Sequence, residues 1–131
     1  MRIAPLILLL PLLAACTDLP RLNDARAQTL LTMPGPQHYA ERTVARELAG
    51  NCPSYGYDEE LAETMTRARL KMRLPVAAQV RGAADVETDV KRRALALRYG
   101  ASRYTTLSPC AVLDAETAAR TPMSVLVMKR G

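Results

Sequence analysis

Apolar residues recur at helical spacing in four stretches of the chain, and Gly, Pro and capping residues mark where each stretch stops. Ala40, Val44 and Leu48 repeat at every fourth position and Cys52 continues the row, which predicts a helix over about 37–51 ended by Gly50, Asn51 and Pro53. The stretch Pro53-Ser54-Tyr55-Gly56-Tyr57 reads as a loop. Asp58 is placed to cap the next helix, with Glu59 and Glu60 in its first turn and Arg67, Arg69, Lys71 and Arg73 near its end, as the helix dipole favours. Leu61, Met65, Ala68 and Met72 predict its buried seam. Pro75 opens a short helix through about Val80, closed by Gly82. A long helix over about 84–99 is expected to turn Val86, Val90, Ala94 and Leu97 inward and to stop at Gly100. Ser108-Pro109 then starts a helix to about Ala119, with Cys110, Leu113 and Thr117 on one face. The tail from Met123 to Met128 is rich in β-branched residues, but no second strand is evident to pair with it. It is expected as a helical turn or an extended arm packed on the rest. The pattern predicts an all-α fold, a small bundle of four helices plus one short helix over residues 37–131.

Ahead of these elements, Met1-Arg2 is followed by an uncharged run from Ile3 to Ala15, thirteen residues long. That length suits the core of a signal peptide and is too short to span a bilayer as a helix. The run ends in Leu13-Ala14-Ala15-Cys16, which resembles the lipobox of bacterial lipoproteins. The resemblance implies a signal peptide over 1–15, with Cys16 as the new N-terminus carrying acyl chains such as palmitate, because only a thiol can form the thioether. Each buried CH₂ contributes about 0.8 kcal/mol, so several chains hold where one would not. A plain secretory signal cut near Ala15 and a retained anchor helix are the competing readings. Thr17 follows the cysteine and Asp18 comes one place later than in the pattern for inner-membrane retention, which implies the periplasmic leaflet of the outer membrane. Residues 16–36, broken by Pro20, Pro34 and Pro36, are expected as a flexible tether with at most a short turn from Asn23 to Leu31. Twenty such residues reach about 25 Å.

Composition changes the picture at one point. From Cys16 onward there is no Ile, Phe or Trp, and 13 Leu and 8 Val are the large aliphatics, so the core must be thin. A thin core needs a staple. With Cys16 given to lipid, two thiols remain in an oxidising compartment, and Cys52 and Cys110 are expected to form a disulfide. Intermolecular pairing, or a reactive cysteine beside His38, are the alternatives. The net charge of +5 falls short of a dedicated nucleic-acid module.

Beyond the leader, the chain resembles a family of short alphaproteobacterial exported proteins with two cysteines. The likeness rests on Asn51-Cys52 at the end of the first helix, the charged stretch Arg67 to Arg73, Arg93 to Gly100, and Cys110 to Arg130 with its Cys110-Ala111 start and Ala118-Ala119-Arg120 segment. It covers about residues 37–130 and implies an all-helical, disulfide-linked periplasmic domain. The family carries no assigned activity, and the lipobox departs from the ordinary signal peptides common in it.

The chemistry is sparse. One His, at position 38, and no Cys-x-x-Cys leave nothing to build a zinc or haem site, so neither metal nor cofactor is expected. No nucleophile elbow or phosphate loop occurs. Glu59 and Glu63 share a helical face and could do acid–base work, but dipole and solubility account for them; His38 and Glu41 read as a surface pair, and Lys91-Arg92-Arg93 as a solvated face. Fifteen Arg against three Lys would suit a basic face meeting anionic lipid or polysaccharide, and a high-GC genome would give the same bias. Tyr55 and Tyr57 beside the expected disulfide are the candidate partner-binding residues, the alternative being that their rings cover the thin core. No catalytic residues are expected. The sequence predicts a non-enzymatic envelope lipoprotein, anchored in the membrane and facing the periplasm, that acts as an adaptor or accessory subunit on a protein partner. The alternative is a periplasmic ligand-binding or inhibitor module.

Overall fold

Side-chain caps and prolines start four of the five helices in the computed structural model, which describes residues 21–131. Cys16, the signal peptide and the first part of the expected tether lie outside the described residues. Helix α1 (Ala25–Thr32) is capped by the Asp24 carboxylate, which accepts from the Arg26 amide at 2.9 Å. Helix α2 (Gly35–Gly50) has Pro36 in its first turn. Helix α3 (Glu59–Lys71) starts as predicted at Asp58, whose side chain accepts from the Leu61 amide at 3.0 Å. Helix α4 spans Ala77–Arg98, and α5 (Pro109–Ala118) opens at Ser108-Pro109. The result is an all-α, disulfide-stapled domain carrying one small two-stranded sheet.

Five helices form, but not the expected five. The break at Gly82 does not occur: α4 runs through it for 22 residues, and the short helix from Pro75 is its first turns. An exposed glycine with open space around it costs a helix about 1 kcal/mol, less than the packing of a long helix returns. The fifth member is α1, inside the expected tether. Ala27, Leu30 and Leu31 are buried, so residues from α1 onward belong to the folded domain. Its apolar residues are too few to show a period of their own. They are held by the 3₁₀ segment Pro122–Leu126, from the other end of the chain.

The missing strand partner is the loop after α2. Strand β1 (Tyr55–Tyr57) pairs antiparallel with β2 (Val127–Lys129), with Tyr55 opposite Lys129 and Tyr57 opposite Val127. Three residues cannot display an alternation, so this pairing was not legible locally. The Asp58 amide extends the connection by donating to the Leu126 carbonyl at 2.8 Å. Cys52 and Cys110 are bonded, as expected, joining the end of α2 to the start of α5.

The core gathers Leu30, Val44, Leu48, Leu61, Leu113 and Leu126 with Met65 and Met123. Ala40, Val44, Leu48 and Cys52 are all buried, matching the predicted seam of α2. On α3 the seam departs from expectation at its end. Met72 is exposed and Arg69 takes the buried position, because its guanidinium reaches the carbonyls of Leu31 and Met33 at 2.9 and 2.8 Å. On α5, Leu113 is buried as expected, but Thr117 faces out and Glu116 is buried beside Arg98 at 2.7 Å.

Candidate functional site

Helix α4 carries two apolar faces, and the fold uses the one that the periodicity did not favour. Ala84, Thr88, Leu95 and Ala96 are buried. Small side chains there let α4 lie close against α2. At the start of the pair a Cβ on Gly35 would meet a Val80 methyl carbon at 3.3 Å, so the approach is tight and a larger residue would push Val80 aside by a few tenths of an ångström. Ion pairs lock the same face down: Lys91 meets Glu41 at 3.1 Å, and Arg92 bonds Glu47, which also accepts from the Tyr104 hydroxyl at 3.2 Å. Lys91 and Arg92 are therefore fasteners between α4 and α2 and not the solvated face expected of them. Arg93 is the exposed member of the trio.

The residues expected inward are left outside. Val86 is 62% exposed, Val90 50% and Leu97 84%, and Ala83 and Ala94 between them are exposed as well. At 100° per residue these five fall in an arc of about 80°, on the side of α4 turned away from α2. Isolated exposed aliphatics are ordinary, whereas a continuous row along one helix marks a contact surface.

A second feature is an open groove of about 530 Å³ between α2, Thr66 of α3 and the first turns of α4. Tyr39, Arg42, Arg46, Arg81 and Asp85 contribute its polar lining. Arg42 donates to the Thr66 hydroxyl at 2.7 Å and Arg46 to Glu59 at 3.2 Å, so two of its three guanidinium groups already have partners within the fold.

The two tyrosines divide. Tyr55 is buried, donates its hydroxyl to Asp114 at 2.6 Å, and serves as core. Tyr57 is half-buried under the Arg46 guanidinium, 4.8 Å from the ring centre, and burial pushes its phenol above the usual range while Arg42 and Arg46 pull it back. Neither ring presents a free face of the kind a partner-binding loop would offer. Glu59 and Glu63 are exposed, Glu59 paired with Arg46. His38 and Glu41 do not form the expected surface pair: His38 is fully buried, its Nδ1 donating to the Leu30 carbonyl at 2.7 Å, and Glu41 is paired with Lys91. Among the described residues no group of three His, Cys, Asp or Glu side chains is placed to hold a metal ion, and no helix is long and apolar enough to cross a membrane.

No family model, curated protein or solved structure matches this chain. The row on α4 was visible in the sequence as a periodic pattern, and the pattern was right about the helix. It could not say which of two apolar faces α2 would cover.

Proposed function

We propose that this protein is an envelope lipoprotein, held by acyl chains on Cys16 in the periplasmic leaflet of the outer membrane, that acts as a non-enzymatic adaptor or accessory subunit through protein contacts. The exposed apolar row on α4 carries this reading, because a helix locked to α2 on one side offers its other side as a rigid, preorganised docking face. The leader and its lipobox-like end support the anchor. The Cys52–Cys110 bond is in keeping with an oxidising compartment.

Two measurements test it. Labelled palmitate enters the wild-type protein and fails to enter Cys16→Ser. A photo-crosslinking residue at Val90, in the native envelope, forms an adduct with protein, while the same probe at Glu63 on the exposed side of α3 forms none. Equal adducts from both positions, or none from Val90, would defeat the docking role of α4.

A further inference from the structure

We infer that the partner of the α4 face is α4 of a second copy of this chain, laid antiparallel about a two-fold axis through Val90. The inference rests on the docking role proposed above and adds the identity of the occupant. The exposed positions 83, 86, 90, 94 and 97 are spaced three, four, four and three residues apart, a spacing that reads the same from either end. Such a spacing suits an isologous contact, in which residue i of one copy meets residue j of the other and j meets i. With Val90 on the axis, Ala83 faces Leu97 of the second copy and Val86 faces Ala94. Each large side chain thus meets a small one, and the 84%-exposed Leu97 gains the space above Ala83.

Charge selects the direction. Beside the row, Glu87 and Asp89 come before Val90 and Arg93 and Arg98 come after it. At helical spacing Arg93 and Asp89 flank one edge of the row and Glu87 the other. Antiparallel pairing brings Arg93 beside Asp89 of the second copy, whose exposed carboxylate also accepts from its own Arg92 at 3.0 Å, and by symmetry Asp89 beside the other Arg93. A parallel pair in register would set Asp89 against Glu87 of the second copy, acid against acid, which is penalised across an interface. The Lys91–Glu41 and Arg92–Glu47 pairs leave Arg93, the basic residue nearest the row, with no ion-pair partner among the described residues.

Single cysteines in the full-length lipidated protein, oxidised in its own membranes, give the test. Val90→Cys crosslinks to itself. Ala83→Cys and Leu97→Cys each stay monomeric alone and crosslink to each other when co-expressed. Adding Leu97→Glu to Val90→Cys lowers the adduct by more than about tenfold, the scale of losing one buried leucine. Its helical circular dichroism is unchanged, because Leu97 is exposed within the protomer. Self-crosslinking of both Ala83→Cys and Leu97→Cys would overturn the antiparallel pair in favour of a parallel one. A Val90 photo-adduct whose mass is not twice that of the chain would overturn the second copy and leave the docking role standing. Absence of any adduct by either chemistry would remove both.

Discussion

His38 and Arg69 aim their donors at the same target, the carbonyl end of α1. His38 Nδ1 reaches Leu30 at 2.7 Å, and Arg69 Nη1 reaches Leu31 and Met33 at 2.9 and 2.8 Å. Orphan carbonyls at a helix C-terminus need partners, and a cation suits the dipole there. Arg69 is 1% exposed with no carboxylate paired to it among the described residues, so these carbonyls are what hold it. Because a carbonyl can only accept, His38 carries its proton on Nδ1 and is neutral. Burial holds its pKa at about 4, opposed by the Leu30 bond and reinforced by the charges of Arg69 and Arg42. The sign follows from linkage. A histidine whose folded pKa lies below its unfolded value binds its proton more readily when unfolded, so its stabilisation is complete above about pH 6.5 and is lost as pH falls toward 4. The loss is about 3 kcal/mol on the linkage relation. Urea midpoints of the wild type therefore fall over that window, while those of His38→Gln, whose amide can still donate to Leu30, stay nearly level. Asp24, held at about 2 by Arg26, loses its contribution only at more acid pH. None of this was legible from residue types, because a lone histidine and an arginine in a basic run look like surface residues until α1 is laid over them.

Among the elements, α4 shows how far periodicity reaches. Its start and stop signals competed, with Gly82 arguing for a break and the flanking apolar residues for continuation, and continuation won. Gly82 lies in the helix interior with nothing within 4 Å of a Cβ built on it. Gly82→Ala is accordingly expected to raise stability by about 1 kcal/mol, measured as a higher urea midpoint with an unchanged slope. The same variant in two separate helices would gain nothing, so the experiment also probes continuity. Facing was the part that failed. Val86, Val90 and Leu97 are three of its large aliphatics, and a sequence reading turns such residues inward. The fold instead buries Ala84 and Thr88, because closeness to α2 and the pairs to Glu41 and Glu47 are available only on that side. Helix ends show a related limit: Arg73 and Arg120 take left-handed backbone at φ 58° and 50° after α3 and α5, a position where glycine is the usual signal.

At the scale of the whole molecule, both ends of the described chain close over the middle. Helix α1 packs on Pro122–Leu126, the Arg21 guanidinium bonds Asp58 at 3.1 Å, and β2 completes a sheet with β1. The disulfide ties the end of α2 to the start of α5 across 58 residues of sequence. Closing such a loop stabilises by about 4 kcal/mol on the chain-entropy model, a large share of the margin of a domain with so few large aliphatics. Cys52→Ser is expected to lower the thermal midpoint by at least about 10 °C and to leave Cys110 open to alkylation, while the wild-type pair resists it. The amino-acid sequence alone pointed to the helical class, the caps at Asp58 and Ser108, the seam of α2 and the pairing of Cys52 with Cys110, because each depends on residues close in sequence or on a small number of cysteines. Only the tertiary structure decided that α1 belongs to the core, that β1 exists, and that α4 turns Val86, Val90 and Leu97 outward. Those outcomes depend on which distant segment arrives first in packing distance and hydrogen-bonding register, and a one-dimensional period carries no information about its neighbours in space.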